Sequence, residues 1–225
     1  MMQTRCFILV VLATIMFYSC APTNQLGLTR ESYEDFYSEH PTSIMIMPPI
    51  NKSMKVEAKL FFYNTLVQPI VEKGYYIVPF YMGLDILKNE SAYDSELLYD
   101  KSMKVVKQTW GIDAVLFTTI YEWKKVGTGQ VVVDIGYELR STESDKILYD
   151  KRGDVTVNMT SNSGNYFVDL AAIALKTAFA REINVAKSCN KVGLEDMPYG
   201  SHNKLYMQDK TKSIGEKNFS VVVSQ

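Results

Sequence analysis

"SIMIMPPINKSMKVEAKLFFYNTLVQPIVEKGYYIVPF", residues 43–80, decides the fold. Ile44 to Met47 is a short apolar run ended by Pro48 and Pro49, whose missing N–H groups cannot continue a strand ladder. Asn51 and Ser53 then supply helix-capping side chains. Beyond them Val56, Leu60, Tyr63, Val67 and Ile70 recur at helical spacing. Pro69 bends or shortens the last turn, and Gly74 stops the helix in a left-handed conformation. "YYIVPF" (75–80) reads as a second short strand, with Tyr75 in the core and Tyr76 on its rim. Strand, helix and strand in that order favour a parallel pair joined by a right-handed crossover.

Downstream, a looser helical region at 82–89 precedes a clearer one. Leu97, Tyr99, Met103, Val106 and Trp110 follow at mostly three- or four-residue spacing and predict a helix from Glu96 to Thr109, closed by Gly111. "IDAVLFTTIYEW" (112–123) is almost continuously apolar in its first half, the pattern of a buried central strand. The period then changes to two. In "GQVVVDIGYELR" (129–140), Val131, Val133, Ile135, Tyr137 and Leu139 alternate with Val132, Asp134, Gly136, Glu138 and Arg140. "STESD" turns the chain and "KILYDKRGDVTVNM" (146–159) returns it, with Gly153 marking a bulge. These two strands form an antiparallel hairpin that residues 112–123 extend to a meander. "SNSGNYFVDLAAIALKTAFAREINVAKSC" (161–189) begins with capping residues and carries two apolar stripes, so it reads as a long helix buried across the sheet. The fold class is therefore α/β with α+β character in its second half: a mixed sheet with a β-α-β start, an antiparallel hairpin or meander, and a long C-terminal helix. Residues 42–189 form one domain, and 190–225 form a tail without a clear period.

Upstream, the apolar run from Cys6 to Tyr18 follows Arg5 and is too short to cross a bilayer, which needs ~20 residues. It ends at Ser19-Cys20, and the composition then turns polar. A basic start, an apolar middle and a small boundary residue make residues 1–19 a secretory signal peptide. Cys20 directly after that boundary resembles the acylated cysteine of bacterial lipoproteins. An ordinary signal peptide with an incidental cysteine, or an uncleaved N-terminal anchor, are the competing readings. Lipidation at Cys20 would hold the domain on a membrane leaflet at ~0.8 kcal/mol per buried methylene. Residues 20–41 are then a tether, with a helical turn at Tyr33–Tyr37.

With 24 basic and 25 acidic residues, the chain lacks the concentrated positive charge of a nucleic-acid or anionic-membrane binder. Cys6 leaves with the signal and Cys20 is acylated, so Cys189 has no disulfide partner. His40 and His202 sit in the tether and tail with no second ligand at metal spacing. The glycines are scattered, no phosphate loop or nucleophile elbow is present, and "GTG" (127–129) is a hairpin turn. Asp134 and Glu138 share the wetter parity of a strand, where carboxylates meet solvent rather than act as an acid–base pair. No enzyme, cofactor or metal site emerges.

Three stretches together resemble a family of bacterial lipoproteins of unknown function: "SIMIMPPINKS" (43–53), "QPIVEKGYYIVP" (68–79) and "GIDAVLFTTIYEW" (111–123). Members of that family are similar to periplasmic α/β domains of the Tol system and are often encoded beside a lipoprotein like the curli-secretion channel. The resemblance implies an α/β domain on the outer membrane, favouring its periplasmic face. It also implies a role as accessory to an envelope transport or assembly complex. The partners it implies are the membrane, through the N-terminal lipid, and another envelope lipoprotein or channel component. Among the matched residues, Pro48, Pro49 and Asn51 lie at a strand end, where open α/β sheets place binding sites. For Asn51, capping the next helix is the favoured reading. Gly74, Tyr75 and Tyr76 border the next strand and are the other candidate interaction residues. A carrier or receptor for a small or lipid-like ligand is the alternative function, and a glycan hydrolase is the third.

Overall fold

The computed structural model describes residues 33–78, 95–127, 129–159, 170–209 and 215–224, with the side chains of the long helix from residue 180 onward. The signal, Cys20 and the region 82–89 lie outside these residues. The elements in chain order are α1 (Glu34–Glu39), β1 (Ser43–Ile46), β2 (Ile50–Asn51), α2 (Ala58–Glu72), β3 (Tyr76–Val78), α3 (Ser95–Tyr99) and α4 (Lys104–Trp110). The meander β4 (Ala114–Val126), β5 (Gln130–Ser141) and β6 (Ile147–Asn158) follows, then α5 (Leu170–Gly193) and β7 (Asn218–Ser224). Seven strands make one mixed sheet, ordered β3-β1-β4-β5-β6-β7 with β2 also on β4. β1 is parallel to both β3 and β4, β4–β5–β6 are antiparallel, and β7 runs parallel to β6.

Pro48 and Pro49 interrupt the first strand without ending it. Ile46 pairs with Leu116 and Ile50 with Thr119, so the proline segment spends one residue more than β4 does. The Met47 N–H still donates to the Leu116 carbonyl (3.0 Å), and the ladder resumes with the Lys52 N–H on the Ile120 carbonyl (2.8 Å). The result is a bulge, because two prolines cannot donate but their neighbours can.

α2 begins at Ala58, later than its sequence cues, and has no side-chain N-cap. Asn51 is not its cap. The Asn51 Oδ1 accepts the Ser53 N–H (3.1 Å) and hydroxyl (2.7 Å), and its Nδ2 donates to the Lys55 carbonyl (2.8 Å), which folds the connecting loop. Pro69 is carried inside the helix. The far end closes as a Schellman motif: the Gly74 N–H donates to the Val71 carbonyl (2.9 Å) and the Tyr75 N–H to that of Ile70 (3.4 Å). Gly74 has φ +91°, and a Cβ there would also meet Asn203. The buried face of α2 is Ala58, Phe61, Phe62, Leu66 and Ile70. Val56, Leu60 and Val67, from the periodic set, lie on the exposed face instead.

The single helix expected from Glu96 to Thr109 is two. The carboxylate of Asp145, in the β5–β6 turn, accepts the Ser102 hydroxyl (2.6 Å) and the Met103 N–H (2.6 Å), so a remote side chain caps a second helix start. Gly111 ends α4 with φ +68°. Gly153 is not a bulge, since it pairs in continuous register with Ile135. Phe219 of β7 packs where its side chain would stand.

Alternating residues of the sheet feed two cores. Ile44, Ile46, Ala114 and Leu116 join the main core with Phe61, Phe62, Trp123, Tyr137, Tyr149, Val185 and Cys189. Met45, Met47, Val115 and Phe117 face the other way, against Leu98, Met103 and Val106 of the α3–α4 region. Both ends of the chain segment read as a single domain prove longer than the sequence cues imply. α1 buries Phe36 and Tyr37 against the body, so residues 33–41 are not all tether. Beyond 189, α5 continues to Gly193, Leu194 and Met197 enter the core, and β7 adds a strand. The tail is structural because its apolar residues pair with a sheet edge distant in sequence.

Candidate functional site

The two groups of residues singled out from the sequence lie at opposite ends of the parallel strands. Ser43, the first residue of β1, pairs with Tyr76, whereas Pro48, Pro49 and Asn51 follow its last. They do not converge on one groove. The Pro48 carbonyl accepts the Ser95 hydroxyl, tying the bulge to α3. Tyr75 is buried and donates its hydroxyl to the Pro198 carbonyl (2.6 Å), and burial pushes its phenol well above the usual range. The Gly74 carbonyl accepts the His202 N–H (3.1 Å). Gly74 and Tyr75 thus seat the segment 198–203, while Tyr76 is exposed. Cys189 is free and buried, and burial raises its thiol well above the usual range. Among the described residues no group of three or more His, Cys, Asp or Glu could hold a metal ion.

A cleft of about 600 Å³ opens elsewhere, between α1, the start of β6 and the strand entry at 215–217. Its walls include Tyr33, Asp35, Phe36, Tyr149, Asp150 and Lys217. β7 first pairs with β6 at Arg152, so among the described residues no strand lies on that side of Ile147–Lys151. The Arg152 N–H donates to the Lys217 carbonyl (2.9 Å); by strand alternation the N–H of Asp150 faces the same side, into the cleft, and the register with β5 then shifts at Leu148. Lys146–Asp35 and Lys217–Asp150 ion pairs, each 2.5 Å, stand at its rims.

A buried polar cluster forms the floor. The Asp196 Oδ2 accepts from Lys151 Nζ (2.6 Å) and from the Gly215 N–H (3.0 Å), and its Oδ1 accepts the Tyr149 hydroxyl (2.9 Å). The Lys151 ammonium also donates to the Glu216 carbonyl. Tyr33 stacks at 5.5 Å from the Tyr149 ring. Burial first, then the charges of Asp196 and Asp150, push the Tyr33 phenol far above its usual range, so it stays a neutral donor. None of these residues stood out in the sequence. One signal was present: Lys151 shares strand parity with Tyr149, Val155 and Val157, the dry face, where a lysine demands a buried carboxylate.

Fold and cleft together define a mixed α/β domain with an open strand edge and no assembled catalytic set among the described residues. Residues 31–194 match the GNA1162-like family, described as "Putative lipoprotein GNA1162-like", and the chain belongs to that family. The Neisseria meningitidis serogroup B (strain ATCC BAA-335 / MC58) putative lipoprotein NMB1124/NMB1162 is 25% identical in an alignment of 140 residues that covers 59% of this chain and 62% of that relative's length. Among solved structures, lipoprotein GNA1162 from Neisseria meningitidis is similar with a TM-score of 0.48 at 22% identity, covering 64% of this chain and 99% of that one. A PelC dodecamer chain from Paraburkholderia phytofirmans gives 0.44 at 14% identity, over 71% of this chain and 90% of that one. The LpoB C-terminal domain from Salmonella enterica gives 0.37 at 12% identity, over 56% of this chain and 94% of that one. The family match ends at residue 194, so β7 and the 215–217 wall of the cleft lie beyond it. No helix among the described residues is long and apolar enough to cross a membrane.

Proposed function

We propose that this chain is a non-enzymatic envelope lipoprotein, anchored through Cys20 to the outer membrane on its periplasmic face. Its domain binds another protein of a transport or assembly complex. The observation that carries this reading is the cleft beside the start of β6, whose outer edge carries no strand among the described residues. A strand edge offers backbone donors and acceptors in register, which an extended peptide satisfies by adding a strand. Tyr33, Phe36 and Tyr149 offer apolar contact, while Asp35, Asp150 and Lys217 offer charge. A carrier for a lipid-like ligand needs an enclosed apolar cavity, and charged groups on an open wall suit a peptide better.

The test is a photo-crosslinking amino acid at Ile147, which is 49% exposed and lines the cleft, in the full-length protein expressed in its own cells. The expected result is one envelope protein captured in near-stoichiometric yield, and not captured from a probe at Lys101. Lipid alone, or no adduct, overturns the reading and favours the carrier. Cys20→Ala is expected to release the protein from the membrane fraction; retention there, with no acyl group by mass spectrometry, would remove the anchor from the proposal.

A further inference from the structure

The chain is held differently on the two sides of Lys217. Its approach to the sheet is pinned. The Gly215 N–H donates to Asp196 (3.0 Å), the Glu216 carbonyl accepts from Lys151, and the Lys217 carbonyl accepts the Arg152 N–H (2.9 Å). Beyond it, β7 pairs with β6 alone among the described strands, and its residues alternate between exposed and half-buried, with none buried. On the other side of β6, β5 buries every second residue from Val131 to Ser141. No charged residue and no proline lies in 218–224, so the outer edge of β7 carries neither of the usual guards. A strand with one ladder and no buried side chain belongs to the part of a fold that opens locally, ahead of global unfolding.

The edge that β7 covers has a pattern of its own. Gly153 stands opposite Phe219, and a Cβ there would lie 2.1 Å from the Phe219 carbonyl oxygen and 2.6 Å from its ring. The glycine is a notch that admits an aromatic side chain, and the ring compensates for the side chain the glycine lacks. Val155 and Val157 face Val221 and Val223 on the same side of the sheet, where Phe219 and Val223 pack against the main core. On the other side Asn218, Ser220 and Ser224 stand beside Arg152, Asp154 and Asn158, so no like charges meet. When β7 leaves, the outward N–H and C=O groups of Asp154, Thr156 and Asn158 are free to pair with another strand.

We infer that β7 is an exchangeable strand. It swings out beyond the pinned Lys217, and the vacated β6 edge accepts an extended strand of another protein. That strand carries an aromatic residue for the Gly153 notch and branched apolar residues two and four places further on. The 215–217 segment divides this edge from the cleft, and the inference stands whether or not the cleft binds a partner.

The test uses purified full-length protein and a fluorescein-labelled peptide of the β7 sequence, Asn-Phe-Ser-Val-Val-Val-Ser. In wild type, the β7 amides that bond to β6, those of Phe219, Val221 and Val223, should exchange hydrogen at least about tenfold faster than those of β5, through an opening insensitive to low denaturant. Phe219→Ala empties the notch and weakens the tethered strand, so it should bind the peptide at least about tenfold more tightly than wild type does. The same peptide with Ala at its second position should not bind. Thr156→Cys with Val222→Cys joins residues that are paired in register, where a disulfide can close. Added to Phe219→Ala, it should abolish peptide binding when oxidised and restore it when reduced. An unchanged melting curve of the body establishes that the variants are folded. Exchange of the β7 amides only together with those of β5 overturns the inference. So does a Phe219→Ala protein that binds no peptide, binds the Ala peptide equally well, or binds it despite the closed disulfide.

Discussion

Asp196 beneath β6 and Asp113 at the foot of β4 make the same bond in different surroundings. Each carboxylate holds a lysine, Lys151 at 2.6 Å and Lys107 at 2.7 Å. The first pair is nearly dry, with side-chain exposures of 4% and 13%; the second is at 36% and 26%. Asp113 compensates with hydrogen bonds. Its Oδ2 accepts the N–H groups of Thr42 (3.0 Å) and Ser43 (3.0 Å) and both of their hydroxyls. It therefore fastens the entry of β1 to the entry of β4. The comparison separates two ways of using a carboxylate: one neutralises a buried cation, the other gathers backbone donors at a strand end.

The largest effect belongs to the dry pair. Asp196→Ala leaves the Lys151 ammonium buried without its carboxylate and takes an acceptor from Tyr149 and Gly215. The expected loss is about 3–5 kcal/mol in denaturant unfolding of the purified protein. Replacing both partners, as Lys151→Met with Asp196→Leu, should cost less than Asp196→Ala alone, because no unpaired charge remains. A double variant as unstable as the single one would show that the pair does more than satisfy each other.

Asp113→Asn comes next, at about 1.5–3 kcal/mol, the range for hydrogen bonds to a charged acceptor. This pair also carries a pH signature. Burial pushes the Asp113 carboxyl up, but the bonds from Lys107, Thr42 and Ser43 outweigh it and hold the group well below the usual carboxylate range. A depressed folded pKa gives stability that is fully present above the unfolded value of ~3.9 and is lost as pH falls from there toward the folded value. Wild type should thus lose stability steeply below about pH 4, and Asp113→Asn should flatten that acid limb. Equal acid slopes would mean that Asp113 does not contribute through its charge.

Why one cluster was legible and the other was not follows from where the partners lie. "GIDAVLF" announces a strand with a polar residue at its foot, so Asp113 was visible as part of a motif even though its role was not. The meander was legible for the same reason, since a period of two needs only neighbouring residues. Asp196 belongs to a stretch without period, and its partners Tyr149 and Lys151 lie on a strand far away in sequence. β7 was missed likewise: "NFSVVVS" is plain strand sequence, but the sheet edge it joins is defined only after the meander has formed. On α2 the difficulty was different. Two apolar stripes share one helix, and period alone does not say which of them faces the core.

A third carboxylate–cation pair extends the series to the surface. Arg152 makes two hydrogen bonds to Asp134, at 3.1 and 2.7 Å, and lies 3.7 Å from the Tyr121 ring centroid on the open face of the sheet. Lys52 stands 5.2 Å from the same ring. The shorter contact is within 0.1 Å of the buried pair's 2.6 Å, and Arg152 is half exposed. Water already solvates the guanidinium when Asp134 is removed, so Arg152→Ala or Asp134→Ala should cost no more than about 0.5–1 kcal/mol. That cost should shrink further at high salt, whereas the loss from Asp196→Ala should not. If Arg152→Ala costs as much as Asp113→Asn and is insensitive to salt, this face is dry in solution and something covers it. If it costs little, the ranking of the three pairs follows desolvation and not bond length, and β5 and β6 are solvated around Asp134 and Arg152, whereas Glu138 and Arg140 on the same parity are packed against Tyr99.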